Sequence, residues 1–458
     1  MIPTVFNSFR VLASEKQSCS LSTTIDKVVT ESFLYFLWQY QYVSTTQLVT
    51  TDGERLQVMS PGFRNNNAGP DFTNARLLIN EVEWAGTVEM HLKTSDWLAH
   101  RHQHDRAYDN VILHVVWQDD CLTTGRRVDR ADGTPMPTLE LGAITSRDLV
   151  DRYALLAEEK APIACAGQFR AVQPLRVTAM LDKAMLQRLE RKAAAVQKIA
   201  DHTNGDWEEV AYRLLAANMG FKTNAEPMAQ LSRAVPLRAL LKHRDSITQV
   251  EAMLFGTAGL LTDVPSDEYV LTLQREYRFL SAKYQLSASE LASHVWKWGR
   301  MRPASFPTLR LAQFARLVTS QASLFSLFVG SADIDILLKT LQQSPSDYWQ
   351  SHYRFGPSAE RVSASLGETS AVTIVVNTVV PLLAAYAHHR GQPAYIDRAI
   401  ALLEELPAEQ NHLVQQWGDL GLGIRTAFDS QAAIELHNEY CIKKKCLDCQ
   451  IGAWLVRR

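Results

Sequence analysis

The stretch that decides the fold of the first half of the chain runs from Pro61 to Trp117 and reads PGFRNNNAGPDFTNARLLINEVEWAGTVEMHLKTSDWLAHRHQHDRAYDNVILHVVW. Three apolar segments in it predict β-strands, and they are separated by turns and polar residues. The predicted strands are Phe72–Ile79, Val82–Leu92 and Asn110–Trp117. Because only Asn80 and Glu81 separate the first two strands, we expect an antiparallel hairpin. The compact apolar third strand fits the centre of a sheet.

A helix and one more strand precede this stretch. Apolar residues at helical spacing predict a helix from Glu31 to about Tyr42, with Thr30 as its N-cap. Arg55–Met59 predicts a strand. Beyond about Leu141 the apolar spacing becomes helical and stays so, with Asp206 and Glu209 forming a capping box. We therefore expect an α+β fold followed by a large all-helical region.

The chain has 458 residues, which predicts two or three domains. We place an N-terminal extension at 1–28, an α/β domain at 29–165, a helical domain at 166–436 and a cysteine-rich tail at 437–458. A hydrophobic content of 46% and a charged content of 21% are typical of a soluble globular protein. The net charge of −2 does not by itself indicate a nucleic-acid binder.

No apolar run near the N-terminus has the length of a signal sequence. The most apolar run, Ala371–Ala387, is interrupted by Asn377, Thr378 and Pro381, which favours a buried helix over a membrane span. Six cysteines in a chain of this length do not form a disulfide framework. We therefore expect a cytoplasmic protein without a membrane partner.

Acidic and basic side chains on the predicted hairpin suggest a divalent-metal site. Residues two apart share one face of a strand, so Glu89, His91 and Lys93 are expected to project together. Asp71 lies at the start of the neighbouring strand, and two such carboxylates can share Mg²⁺ or Mn²⁺. Lys93 or His91 can then act on the attacking water. Glu31 either assists this site or only complements the dipole of its helix.

These residues resemble the signature of the PD-(D/E)XK nuclease superfamily. Pro70 and Asp71 are followed, after 17 residues, by Glu89-Met-His91-Leu-Lys93. The resemblance implies a mixed sheet with flanking helices, two acidic metal ligands, and hydrolysis of phosphodiester bonds in DNA or RNA. His91 stands where the signature has lysine, so Lys93 on the same face would have to replace the missing amine. Nucleic acid is the partner that the resemblance implies.

Two other interpretations stay open. One is a nuclease fold without catalysis that binds nucleic acid or protein, and the acidic excess in residues 1–150 favours it. The other is a histidine-ligated metallohydrolase. His100, His102 and His104 would point one way if the segment were extended, and with His91 or His114 they would bind Zn²⁺ or Mn²⁺. Alone in an apolar strand, His114 is more typical of a core histidine.

The C-terminal tail contains Cys441, Cys446 and Cys449, a spacing that favours Zn²⁺ or an iron–sulfur cluster over oxidation. The fourth ligand is either His437, which is local, or Cys165, which is distant. The distant choice is similar to iron–sulfur-containing PD-(D/E)XK exonucleases, although the spacing differs. Reactive or merely buried thiols are the alternative.

The whole chain resembles an uncharacterised family of bacterial proteins in the runs AGPDFTNARL, GTVEMHLKTSDWLAH, YDNVILHVVW, EAMLFGTAGLL and RMRPASFPTLRLAQ. This resemblance implies no activity. The last run, from Arg300 to beyond Arg310, mixes arginines with prolines. It fits either a phosphate-contacting segment or a helix entry with solvated arginines.

Overall fold

The computed structural model describes residues 28–43, 48–65, 67–121, 127–262, 264–265, 267–331 and 333–458. The predicted N-terminal extension therefore lies outside the described residues, apart from Val28. The chain folds as two compact units. The first contains the chain up to Met180 together with Leu436–Arg458, and the second contains Leu181–Glu435. The C-terminal segment thus folds with the α+β unit.

A mixed sheet forms the centre of the first unit and confirms the expected α+β class. Its strands are β1 Leu48–Val49, β2 Arg55–Ser60, β3 Phe63–Arg64, β4 Phe72–Ile79, β5 Val82–Lys93, β6 Val111–Gln118 and β7 Thr138–Glu140. Their order across the sheet is β1-β2-β4-β5-β6-β7, and β3 pairs with β4. The pairs from β1 to β5 are antiparallel, whereas β6 runs parallel to both β5 and β7.

The predicted hairpin is confirmed. β4 and β5 pair from Ile79 opposite Val82 back to Phe72 opposite Val88. The two turn residues Asn80 and Glu81 have φ values of 46° and 69°, which are the left-handed values that a tight hairpin turn of this twist requires. β6 is buried over its length except at its last residue, as expected for a central strand.

The crossover between β5 and the parallel β6 carries the histidine-rich segment. It contains a helix, α2 (Asp96–Ala99), followed by one 3₁₀ turn over His102–His104 and another over Arg106–Tyr108. Gly86 lies where β6 approaches β5 most closely. A Cβ atom there would come within 2.6 Å of the carbonyl oxygen of Asn110, so a larger residue would push the two strands apart.

Two helices from distant parts of the chain meet beside the sheet. They are α1 (Glu31–Tyr40) and α3 (Arg147–Glu158). Phe33 stacks on Tyr153 with ring centroids 4.5 Å apart. Thr30 is the N-cap residue of α1, as predicted, but its side chain does not cap the helix. Its hydroxyl instead pairs with the Tyr153 hydroxyl at 3.1 Å, so it joins the two helices.

The second unit is helical in its described residues, which confirms the expected large helical region. The helices that follow α3 are α4 Pro174–His202, α5 Trp207–Met219, α6 Phe221–Ala234, α7 Leu237–Leu241, α8 Ile247–Thr257, α9 Glu268–Tyr284, α10 Pro307–Ser320, α11 Leu324–Gly330, α12 Ile334–Leu341, α13 Glu368–Ile374, α14 Val380–Arg390, α15 Ala394–Glu405, α16 His412–Asp419 and α17 Ala427–Leu436, and the C-terminal segment adds α18 Gln450–Arg457.

The expected capping box at α5 is half right. The Asp206 side chain accepts hydrogen bonds from the backbone N–H groups of Glu208 and Glu209 at 3.1 Å, as an N-cap should. The Glu209 carboxylate does not reach back to Asp206. It accepts from the Leu237 backbone N–H and from the Arg213 guanidinium. Tertiary packing thus redirects the second half of the motif.

One helical stretch, Glu368–Arg390, has the length and mean hydropathy of a membrane-spanning helix. It comprises α13, a π-helical turn at Val375–Val379, and α14. Of its apolar window, 72% is buried within the protein. This burial is what a core helix of a globular unit shows.

A buried carboxyl group in α8 makes the stability of the second unit depend on pH. Glu251 is fully buried and accepts hydrogen bonds from the Ser346 hydroxyl at 2.7 Å and the Tyr269 hydroxyl at 2.9 Å. Burial raises the pKa of Glu251 to about 7, although these hydrogen bonds and Arg316 oppose the rise. The folded protein therefore keeps this proton to a higher pH than the unfolded chain does.

We expect the second unit to lose stability as pH rises through the interval from about 4.5 to about 7, because the unfolded glutamate releases its proton first. Glu251→Gln should flatten this dependence and stabilise the unit at pH 8 by up to roughly 3 kcal/mol. The midpoint of thermal unfolding, measured from pH 5 to pH 8, tests this. The exposed Glu404→Gln is the control, and an equal slope in both variants would contradict the assignment.

Candidate metal centre

Two predicted metal ligands meet at the open end of the β4–β5 hairpin, away from its turn. Asp71 immediately precedes β4, and Glu89 lies on β5, where it is 6% exposed. The Asp71 backbone N–H donates to Glu89 Oε2 at 3.1 Å, and the Met90 backbone N–H donates to Asp71 Oδ2 at 3.0 Å. Each carboxylate is thus held by the backbone beside the other, and the two acids lie side by side.

Helix α1 contributes two further groups to this pair. The Tyr35 hydroxyl donates to Asp71 Oδ1 at 2.8 Å. Glu31 lies one helical turn earlier, and its negative charge contributes to raising the pKa of both Asp71 and Glu89. Sequence reasoning missed Tyr35. The signal that could have found Tyr35 is its position four residues after Glu31, on the same helix face.

The surroundings of Asp71 and Glu89 disfavour the ionised form of both carboxyl groups. Burial raises the pKa of Asp71 to about 6. Burial and the charge of Asp71 raise the pKa of Glu89 to about 9. Clustered buried acids resist ionisation unless a positive charge compensates them.

Three histidines gather beside Glu89. The Nε2 atom of His91, on β5, lies 3.0 Å from His100 Nδ1 and 3.3 Å from His102 Nε2. Glu89 Oε1 lies 3.6 Å from His91 Nε2 and 3.5 Å from His102 Nε2. One nitrogen from each histidine falls within 4.8 Å of the other two. The nitrogens of the three histidines therefore converge on one small space, and Glu89 Oε1 lies beside the nitrogens of His91 and His102.

A fourth histidine orients the first. His114 lies opposite Glu89 on β6 and is fully buried. Its Nε2 atom lies 2.9 Å from His91 Nδ1. Burial lowers the pKa of His91 to about 3 and holds the pKa of His114 well below its ordinary value. His91 is thus neutral at physiological pH, and its Nδ1 atom is engaged on the side away from Glu89.

Aromatic rings fix the crossover that supplies His102. The His102 ring packs on Tyr108 with centroids 3.8 Å apart, and the buried Trp97 ring lies 5.3 Å from both His102 and His114. Trp97 belongs to a small core cluster with Val111 and other apolar residues. This packing, rather than strand geometry, places the histidine.

The structure does not bring every predicted residue to this place. Lys93 shares β5 with Glu89 and His91 but is exposed, and no hydrogen bond or ion pair joins its ammonium group to a described residue. His104 is also exposed. The histidine segment is helical rather than extended, so His100, His102 and His104 do not share one direction. Two of the three reach His91.

The cysteines form a second cluster in the first unit. Cys165 and Cys449 are buried, Cys441 and Cys446 are half-buried, and none of the four is in a disulfide. Each thiol is close enough to the other three for their charges to interact. Cys441 ends a π-helical turn, and Cys449 is the N-cap of α18.

Contacts around these cysteines fix the tail on the first unit. The Arg152 side chain in α3 donates to the Val456 carbonyl at 2.8 Å, and the Lys444 ammonium donates to the Glu159 carbonyl. Gly452 packs directly against the Cys446 backbone, where a Cβ atom would lie 2.3 Å from the carbonyl oxygen. The structure thus brings Cys165 to the three tail cysteines. His437 Nδ1 lies 3.4 Å from Asn438 Oδ1, and its Nε2 atom is buried with no hydrogen-bond partner among the described residues.

The fold is that of an α+β protein with a large helical region, and its first unit contains a histidine cluster able to hold a metal ion and a group of four cysteines. The chain belongs to the family described as Protein of unknown function (DUF2851), whose model matches residues 31–412. This match confirms the expected membership of an uncharacterised family. No curated protein and no solved structure matched the chain.

The histidine cluster predicts binding of one Mn²⁺ ion, a metal that thiolate clusters disfavour. We expect His102→Ala to weaken Mn²⁺ binding at least ~10-fold, because it removes one of four converging donor atoms. The control is His104→Ala, which changes an exposed histidine of the same crossover and should bind Mn²⁺ as tightly as the wild type does. Electron paramagnetic resonance titration of free Mn²⁺ measures both. Equal loss in the two variants, or no binding by the wild type, contradicts the site.

Proposed function

We propose that this protein is a metal-dependent hydrolase of phosphodiester bonds, with one divalent ion held by Glu89, His91, His100 and His102. The observation that carries this is the closeness of the donor atoms: His91 Nε2 lies 3.0 Å from His100 Nδ1, 3.3 Å from His102 Nε2 and 3.6 Å from Glu89 Oε1. Glu89 Oε1 also lies 3.5 Å from His102 Nε2. Ligands placed about 2.1 Å from a tetrahedral ion lie roughly 3.4 Å from one another. The donor atoms of Glu89, His91 and His102 have this spacing with one another, and His100 Nδ1 has it with His91 Nε2, which supports one shared ion.

The chemistry of the donors favours Mn²⁺ or Zn²⁺ over the Mg²⁺ that two carboxylates alone would suggest. Mg²⁺ takes oxygen ligands, whereas imidazole nitrogens suit transition metals. Burial keeps the His91 ring neutral, and in the tautomer whose Nδ1–H donates to His114 Nε2 the His91 Nε2 lone pair faces Glu89. A bound cation would also add positive charge beside Glu89 and Asp71, where burial outweighs the charge of Arg64.

The fold supports a phosphodiester as the substrate. An acidic helix, an aspartate at the start of one strand, a glutamate on the next strand of a hairpin, and a parallel strand after a short crossover appear here in the order seen in PD-(D/E)XK nucleases. The departure is His91 at the lysine position, and in this chain it serves as a ligand. DNA or RNA is the substrate class that follows from this resemblance.

Each residue near the ion then has a distinct task. Asp71, fixed by Tyr35 and by the Met90 backbone, offers a further oxygen toward the ion or the attacking water. Glu31 deepens the negative potential that attracts the cation. Lys93, exposed on the same strand, is available to contact a substrate phosphate. A divalent ion bound here activates water and offsets charge that develops on the phosphate.

Cleavage of labelled DNA and RNA in Mn²⁺, Zn²⁺ or Mg²⁺ tests the proposal. Glu89→Gln removes the carboxylate ligand while keeping its shape, so we expect activity to fall by at least ~100-fold. His104→Ala serves as the matched control and should stay within about twofold of the wild type. Wild-type protein that binds Mn²⁺ but cleaves no phosphodiester would end the hydrolase proposal and favour the binding scaffold.

We also propose that Cys165, Cys441, Cys446 and Cys449 hold an iron–sulfur cluster. Four thiolates on one Zn²⁺ ion lie about 3.8 Å apart, given Zn–S bonds of about 2.3 Å. No three of these four sulfurs, all in described residues, lie within 4.8 Å of one another. Their charges nevertheless interact in every pairing. This wider spacing fits a multi-iron cluster, which is larger than a single ion.

Anaerobically purified protein should therefore contain iron and acid-labile sulfide and show a broad visible absorption band. Cys165→Ser should lower the iron content at least ~10-fold, since it removes the ligand that joins the two segments. Cys121→Ser, which changes a buried cysteine outside this group, is the control. One zinc per chain without iron would refute the cluster, and unchanged iron in Cys165→Ser would refute the ligand set.

A further inference from the structure

A pocket of about 260 Å³ lies within the helical unit, where the junction of α5 and α6 meets the start of α10. Its walls combine apolar groups, including Phe221 and Trp296, with Ser305, Ser370 and two arginines, Arg302 and Arg310. The arginines belong to the proline-rich run that the sequence left undecided between phosphate contact and solvation. Arg302 is exposed, but Arg310 is not.

Arg310 is a buried cation that forms no ion pair with any carboxylate in the described part of the chain. Arg310 is only 7% exposed. Its Nη1 atom donates to the neutral Gln313 Oε1 at 3.0 Å, and its Nε atom is buried with no hydrogen-bond partner. Burial lowers the pKa of Arg310 to about 10, and no carboxylate offsets that effect. A buried charge in this state is costly unless something else neutralises it.

Another buried arginine of the same unit shows the usual solution. Arg188 has Glu435 Oε2 at 3.7 Å, and the charge of Glu435 counters the fall in the pKa of Arg188 that burial causes. Glu435 also binds Arg191 through both carboxylate oxygens. At Arg310 the corresponding place is taken by a pocket rather than by an acid.

The surroundings hold the Arg310 guanidinium in one position. Gln313 is itself fixed, because its Nε2 atom donates to the Ala364 carbonyl at 2.7 Å. Phe221 lies under the guanidinium, with 4.7 Å from Arg310 Cζ to the ring centroid. Phe221 has a φ of 49°, which is rare for an aromatic residue. Such strain is typical of places where function fixes the backbone.

The start of α10 adds positive potential to the same pocket. This helix has 14 residues and begins at Pro307, which lines the pocket together with Ser305. Its N-cap residue, Phe306, provides no side-chain cap. The uncapped N–H groups of the first turn carry the positive end of the helix dipole.

From the buried guanidinium, the uncapped helix start and the apolar wall, we propose that this pocket binds a small oxyanion ligand. The ligand presents a phosphate or carboxylate group to Arg310 and an apolar portion to Phe221 and Trp296. A guanidinium fork matches both anions. The site does not depend on the proposed hydrolase function, since no residue of the metal centre takes part.

Isothermal titration of the full-length protein with phenyl phosphate, inorganic phosphate and benzoate, at constant ionic strength, tests this proposal. We expect saturable binding of one ligand per chain, and the two aromatic ligands separate phosphate from carboxylate preference. Arg310→Met should weaken binding at least ~10-fold, because the paired charge is lost. Arg278→Met, an exposed arginine of α9, should leave it unchanged. Arg310→Lys, which keeps charge but loses the fork, should fall between.

The free protein provides a second, independent readout. A buried guanidinium without a counter-charge does not stabilise the empty fold, so unliganded Arg310→Met should unfold at a temperature no lower than that of the wild type. Absence of saturable binding by the wild type overturns the proposal. So does Arg310→Met that unfolds far below the wild type, because Arg310 would then be a structural residue.

Discussion

The pairing of β5 with an antiparallel neighbour on one side and a parallel neighbour on the other is the constraint on which the rest of the first unit depends. The antiparallel pairing sets Asp71 beside Glu89, because the first residue of β4, Phe72, lies opposite Val88 on β5. The parallel pairing sets Glu89 opposite His114 and forces a crossover between the strands. That crossover carries His100 and His102 back to the strand it left.

The consequence is a group of side chains whose favoured charges do not suit their surroundings. Burial makes Glu89 and Asp71 resist ionisation, despite the opposing charge of Arg64 at Asp71, and it makes His91 resist protonation. The divalent ion that we propose would remove this conflict by pairing with the carboxylates and the imidazole lone pairs. The same logic applies in reverse to Arg310, where the missing partner is an anion.

Several buried carboxylates of the helical unit form hydrogen bonds with other groups of the same unit. Glu209 satisfies the Leu237 backbone and Arg213, and Glu251 is hydrogen-bonded by two hydroxyl groups. Arg310 stands apart because its nearest polar neighbour, Gln313, cannot neutralise it. A buried guanidinium that opens on a pocket and has a neutral hydrogen-bond partner is the basis of the ligand site that we propose.

The sequence by itself determined the α+β class, the hairpin, the central strand and the helical region, because strand and helix periodicities and the two-residue turn are local properties. It did not give β1, β3 and β7, which are two or three residues long and owe their pairing to neighbouring strands. Only the tertiary structure decided that His100 and His102 reach His91 while Lys93 and His104 do not. It also decided that Cys165 meets the tail and that Arg310 is buried. Those outcomes depend on packing between segments far apart in the chain, which residue spacing along one segment does not encode.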